Sequence, residues 1–200
     1  MSASPRPDHD NDPEFSLFLL LCEEHRAVID TISSECRAII PSPIFVPHMT
    51  VYFGSGTTSH GLDALVEGMG ANMPPLRQRI LTVEGEDRFW RSLYVALETS
   101  VGLDMLDGRL REEITPYGNY TLFPHVSLIY SATATNEQRE QCSARAKAIL
   151  REANLSELLF TRIAAFKRDT SVRDWEDVAR WQEVSSRLLL GHKTERNKQQ

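Results

Sequence analysis

A short pattern occurs twice in this chain, as Pro47-His48-Met49-Thr50-Val51-Tyr52 and as Pro124-His125-Val126-Ser127-Leu128-Ile129-Tyr130. Each copy runs Pro, His, an apolar residue, a hydroxyl residue and then apolar residues suited to a strand. Successive side chains of a pleated strand point to opposite faces, so His48 shares a face with Thr50 and His125 with Ser127. A fold that brings the two strands to one cleft would collect two imidazoles and two hydroxyls there. Displacement at phosphorus needs such a set: one imidazole takes a proton from water while the other gives one to the leaving oxygen. A lone His ahead of a strand is commonly structural. Recurrence of the whole pattern, using two of the six histidines, favours function.

The rest of the chain alternates between strand and helix patterns. Phe15 to Cys22 reads as a buried strand, and Val28, Ile32, Cys36 and Ile39 or Ile40 fall at helical spacing behind it. Pro41, Pro43 and Pro47 stop that helix ahead of the first His strand. Leu62, Leu65, Val66 and Met69 mark a second helix, closed by Pro74 and Pro75. Ile80 to Glu84 and Ser92 to Ser100 read as strands of a hairpin joined by the charged loop 85–91. Leu103, Leu106, Leu110 and Ile114 stripe a third helix, and Thr135 to Gln138 fits a capping box opening a fourth, faced by Cys142, Ala146, Ile149 and Leu150. Leu158 to Phe166 is a strand candidate, and Trp175 to Val184 a strand or short helix. Strand, helix and His strand thus appear in each half, which predicts a pseudo-symmetric α+β fold. Residues 1–14 and 191–200 lack apolar periodicity and read as loose tails around a single domain, 15–190.

Composition narrows the substrate. Lys and Arg total 22 against 28 Asp and Glu, a net charge of −6, with no long basic run. That balance favours a small phosphorylated ligand over a long nucleic acid. Cys22, Cys36 and Cys142 are too few and scattered for a disulfide framework, and they lack zinc spacing. No metal or other cofactor is expected. Residues 1–13 lack the pattern of a signal peptide, and Leu17 to Cys22 is far too short to span a bilayer. The expectation is a cytoplasmic monomer with no membrane partner. His9 and His192 fall in the tails, His25 at a helix start and His60 in a loop, all read as non-catalytic. Trp90, Tyr94, Tyr117, Trp175 and Trp181 are candidates to stack on a base, although such residues more often build cores. Gly54-Ser55-Gly56 reads as a simple turn that could lie near phosphate.

At its paired motifs the chain resembles the two-histidine phosphoesterases, the 2H or LigT-like superfamily, which carries one His-x-Thr/Ser motif in each lobe. Within that group it is similar to the 2′,3′-cyclic-nucleotide phosphodiesterases of fungi and plants. The supporting segments are the strand Ser16 to Leu20, the lead Pro41 to Pro47, the second motif and the late Val172-Arg173-Asp174-Trp175. The resemblance implies a bilobed fold whose two antiparallel sheets line a central cleft, with helices outside and no metal. It implies catalytic roles for His48 and His125, phosphate contacts from Thr50 and Ser127, and a substrate contact from Tyr130. Strict alternation puts Tyr130 on the face opposite His125, so that last role requires a bulge or strand end between them. The implied substrate is a nucleoside 2′,3′-cyclic phosphate or ADP-ribose 1″,2″-cyclic phosphate, a by-product of tRNA splicing, with His125 preferred as base and His48 as acid. An RNA-end enzyme of the same superfamily, ligase or exonuclease-like, and a non-catalytic nucleotide-binding module are the alternatives.

Overall fold

The computed structural model describes residues 15–54, 57–58, 60–167 and 181–191. Strand β1 (Phe15–Leu21) is buried at every position because both of its faces are covered. Phe15, Leu17, Leu19 and Leu21 enter the main core, while Phe18 and Leu20 join a small second cluster with Ala164 and Phe166 on the other side of the sheet. Helix α1 (Glu23–Arg37) buries Ile29, Ile32 and Cys36, so Ile29 rather than Val28 is the deepest residue of its first turns.

Strand β2 (His48–Gly54) carries the first motif, and the two-residue β3 (Thr57–Thr58) pairs with β6 (Ile114–Thr115). Helix α2 (Gly61–Asn72) precedes the antiparallel strands β4 (Leu76–Glu84) and β5 (Leu93–Leu97). Helix α3 (Val101–Glu113) is capped by the Ser100 hydroxyl, which accepts from Leu103 N–H. Strand β7 (His125–Ile129) carries the second motif. Helix α4 (Asn136–Glu152) opens with the capping box expected at Thr135 and Gln138, and β8 (Glu157–Lys167) and β9 (Gln182–Leu188) follow. Most of the 175–184 segment lies outside the described residues; the part described starts β9. Among the described residues no helix is long and apolar enough to cross a membrane.

The strands run in the order β2-β1-β8-β4-β5-β7, all antiparallel, with β9 also on β8. The two sheets implied by the resemblance are therefore joined through one long strand. Leu158 and Phe160 of β8 pair with β4, while Arg162 to Lys167 pair with β9. This sharing explains why β4 begins at Leu76, ahead of the predicted Ile80. The sheet curls until β2 and β7 pack against each other, with α1 leaning on β7 and α3 on β2. The helix of each half thus supports the His strand of the other.

Both His strands carry a bulge at the same place. The β1–β2 register slips between Leu17 and Phe18, leaving Val51 unmatched, and the β5–β7 register slips between Leu93 and Tyr94, leaving Leu128 unmatched. One extra residue reverses the alternation beyond it. Val51 and Tyr52 both enter the core, as do Leu128 and Ile129. Phe53 and Tyr130 then return to the face of their histidines, which supplies the bulge that a Tyr130 contact required.

The connection from β4 to β5 places Trp90 and Arg91 through a 3-10 turn, Phe89–Arg91, closed by Glu86 N–H donating to the Arg91 carbonyl at 2.8 Å. Gly85 makes the approach possible: a Cβ there would lie 2.2 Å from the Ser92 carbonyl oxygen. Gly85→Ala should therefore cost about 1–3 kcal/mol through a forced backbone shift. A denaturant midpoint equal to that of the unaltered chain would show that the turn absorbs the methyl freely.

Candidate active site

Between β2 and β7 lies a cavity of about 490 Å³ lined by both motif histidines, a size suited to a small ligand. Each imidazole is anchored in the same way. Nδ1 of His48 lies 2.7 Å from the Val46 carbonyl oxygen, and Nδ1 of His125 lies 2.7 Å from that of Phe123. A carbonyl only accepts, so Nδ1 carries the hydrogen and donates, leaving Nε2 as the basic nitrogen of the neutral ring. The intervening Pro47 and Pro124 contribute by holding Val46 and Phe123 out of helical conformations.

The ring environments differ. His48 stacks on Phe18, with centroids 3.7 Å apart and planes at 20°, whereas His125 meets the edge of Tyr94 at 5.4 Å. His48 keeps some surface toward the cleft, yet burial of its ring pushes its pKa down to about 4. The Val46 hydrogen bond opposes that fall, and the charge of His125 adds to it. Burial also lowers His125, opposed by its bond to Phe123; the Arg91 charge then lowers it and Glu86 raises it. Both rings are thus harder to charge than a free imidazole, and each senses the charge around it.

The hydroxyls differ as well. Thr50 lines the cavity, and its carbonyl accepts from the Tyr120 hydroxyl at 2.8 Å. Ser127 is only 3% exposed and donates to the Trp90 carbonyl at 3.1 Å, and its hydroxyl lies near enough to the Tyr130 phenol to favour the phenolate slightly against burial. The equivalence expected of Thr50 and Ser127 is therefore broken: one faces the cleft directly, the other sits behind the wall. Tyr130 lines the cavity stacked on Phe45, centroids 4.1 Å apart, and burial pushes its phenol up to about 12.

Arg91 was not singled out in the sequence, although it belongs to the charged loop. It lines the cavity, lies 4.9 Å over the Phe123 ring and pairs with Glu86 at 3.2 Å. Phe18, Phe45, Phe53 and Phe166 were also missed, since an apolar residue in a strand reads first as core. Of the stacking candidates, Trp90 and Trp181 line the cavity and Tyr94 packs against His125. Tyr117 instead bonds Asp107 and packs under Arg111, and Trp175 lies outside the described residues, as do Ser55, Gly56 and the 172–175 segment. His25 accepts Leu159 N–H at 2.9 Å, a structural role, and His60 lines a separate hollow beside α2; His9 and His192 are not described. The three cysteines are free thiols. Among the described residues no three His, Cys, Asp or Glu side chains converge as a metal site would require.

No known family profile matches the chain. A curated protein of Arabidopsis thaliana, "Cyclic phosphodiesterase", is 24% identical over 170 residues, covering 82% of this chain and 92% of the relative. Among solved structures, E. coli LigT in apo form superposes with a TM-score of 0.54 at 13% identity, covering 89% of this chain and 98% of that one. E. coli LigT complexed with 3′-AMP gives 0.54 at 14% identity, with 90% and 99% covered. The LigT-like fold is thus established, and relative and fold together support the two-histidine phosphoesterase superfamily.

The depressed imidazoles make a prediction about the free protein. Burial favours neutral His48 in the folded chain, so between about 6.5 and 4 the unfolded chain binds more protons. Stability is therefore expected to fall as pH drops through that window, by up to roughly 3 kcal/mol from this ring, and to be indifferent to it above. His48→Gln should remove that part of the acid sensitivity. A His48 ring that charges near pH 6.5 in nitrogen-detected NMR titration would contradict the assignment.

Proposed function

We propose that this two-histidine phosphoesterase opens a ribose cyclic phosphate, either a nucleoside 2′,3′-cyclic phosphate or ADP-ribose 1″,2″-cyclic phosphate, to a phosphomonoester without a resident metal. The observation carrying this reading is the pair of identically anchored imidazoles on one cavity, each with Nε2 left as its basic nitrogen. Water attacks phosphorus as one imidazole takes its proton, one P–O bond to ribose breaks, and the other imidazole protonates the departing oxygen. His48, the more strongly depressed ring, is the base, and His125 is the acid, which reverses the preference drawn from sequence. A phosphodiester anion entering the cleft favours the charged form of His125 and readies it to donate. Thr50 and the Tyr130 phenol, with Ser127 behind it, contribute donors for the non-bridging oxygens as their charge grows.

Both halves of the site belong to one chain, so the reading needs no second subunit. Arg91 is the sole Lys or Arg lining the cavity among the described residues, and the chain is acidic, which favours a mononucleotide-sized ligand over an RNA end. E. coli LigT, of the same fold, is known in complex with 3′-AMP, a ribose phosphomonoester and so of the product class.

Purified protein assayed against cyclic mononucleotides, ADP-ribose cyclic phosphate and an oligonucleotide ending in a cyclic phosphate tests the reading directly. Turnover of the oligonucleotide alone would transfer it to RNA ends. His48→Ala and His125→Ala should each lower turnover at least ~10²-fold, the double variant losing less than the product of the two. With both rings depressed, kcat/KM should peak on the acid side of 6.5 and fall above it as His125 loses its proton, its limbs belonging to the pair. A profile flat from about 5 to 9 would exclude acid–base work by these rings. EDTA should leave the rate unchanged, whereas a loss restored by added Mg²⁺ or Zn²⁺ would require a metal.

The hydroxyls should separate in the same assay. Thr50→Ala is expected to cost about 1–3 kcal/mol of transition-state stabilisation. Ser127→Ala should act through Tyr130, so its effect should shrink in a Tyr130→Phe background. Fully additive effects would mean that Ser127 meets phosphate independently.

A further inference from the structure

Three rings meet at the second motif: His125 lies 5.4 Å from Tyr94 and 4.9 Å from Phe123, and those two lie 5.6 Å apart, edge to face. Glu86 lies off the cavity wall and gathers the groups that hold them. Its carboxylate accepts from the Tyr94 hydroxyl at 3.3 Å and meets the Arg91 guanidinium at 3.2 Å, and Arg91 in turn covers the Phe123 ring at 4.9 Å. The rings about His48 are Phe18 and Phe45, which carry no charge.

Arg91 belongs to two settings at once, since it lines the cavity and pairs with Glu86. Its charge works against a proton on His125, and the Glu86 carboxylate works for one. A phosphate answers a guanidinium with two parallel hydrogen bonds, whereas Glu86 is already shared with Tyr94 and, at 3.6 Å, with Arg88. The other titratable groups on this side are the Tyr94, Tyr120 and Tyr130 phenols, all pushed up by burial and so neutral near pH 7, and His48 across the cavity; Glu84 bonds the far side of Tyr94.

We propose that Glu86 is a positioning residue for His125 whose action the substrate releases: the phosphate neutralises Arg91, and the Glu86 carboxylate then acts on the ring unopposed and holds it in its donating form. This rests on the cyclic-phosphate reading and adds to it a residue outside both motifs.

Glu86→Gln keeps an oxygen for Tyr94 and removes the charge, while Arg91→Met keeps a chain over Phe123 without its charge. In nitrogen-detected NMR titrations Glu86→Gln should lower the pH at which His125 charges and Arg91→Met should raise it, His48 moving less in both. Kinetics separates the two residues further, because kcat/KM reports the free protein and kcat the complex. Glu86→Gln should draw the basic limb toward acid in both profiles, costing roughly 3- to 10-fold in kcat beyond the limb, where each pH unit of displacement is a factor of ten. Arg91→Met should move the limb toward base in kcat/KM and leave it in place in kcat, since bound phosphate has already neutralised Arg91. A His125 titration indifferent to Glu86→Gln overturns the role, and a kcat limb that follows Arg91→Met as far as the kcat/KM limb overturns the release. Should no cyclic phosphate be hydrolysed, that reading fails by itself, and the titration repeated in saturating inorganic sulfate judges Glu86 alone. Arg91→Met must then shift His125 less with sulfate than without it; equal shifts overturn the release.

Discussion

Two hydrogen bonds of 2.7 Å, each from an imidazole Nδ1 to the carbonyl two residues earlier, fix the chemistry this cleft can perform. Without them either ring nitrogen could carry the hydrogen, and the ring could turn. With them each histidine keeps Nδ1 occupied by the backbone, so proton traffic is confined to Nε2. The acceptor belongs to the residue before a proline, whose backbone the pyrrolidine ring holds extended, so the anchor is written into the Pro-His dipeptide. The strand then begins at the histidine itself, on β2 and on β7 alike.

The second constraint is the bulge three residues beyond each histidine. It turns a strand of strict alternation into one that carries His, hydroxyl and then an aromatic five places on along its histidine side. In one half that aromatic is Phe53 and in the other Tyr130, and each sits past a pair of adjacent core residues. The same distortion placed twice extends the pseudo-symmetry from the motifs to the walls of the cavity. It also places Phe18 opposite Thr50 and Tyr94 opposite Ser127, so each histidine receives an aromatic neighbour from the adjacent strand.

Much of this was legible before any coordinates, and the boundary has a physical cause. Helices announce themselves through a one-sided stripe, and the Leu103, Leu106 and Leu110 stripe and the Thr135 capping box fell where expected. The His pair was legible because its pattern repeats. Strands covered on both faces give no such asymmetry: every residue of β1 is buried, so nothing in Phe15–Leu21 separates Leu17 in the main core from Phe18 under His48. Bulges are equally silent, since they depend on pairing between distant strands. Arg91 stayed hidden for a third reason: its approach to the cleft is made by the turn after Gly85, and loop sequence reports charge without direction.

The two motifs supply two similarly anchored imidazoles, whereas the proposed acid–base mechanism needs them unlike at the moment of reaction. The difference comes from what surrounds them. His48 lies against the face of Phe18, and burial there holds its ring neutral. His125 stands near Glu86, whose charge favours the imidazolium, and near Arg91, whose charge opposes it. Arg91 also pairs with Glu86, while the Tyr94 hydroxyl donates to Glu84 and Glu86 at 3.1 and 3.3 Å, so the balance at His125 is held by a network rather than by one neighbour. Under the proposed mechanism, an anionic substrate that draws Arg91 toward itself would leave Glu86 to favour the charged form of His125, the ring assigned there as acid, while the ring on Phe18, assigned as base, stays neutral.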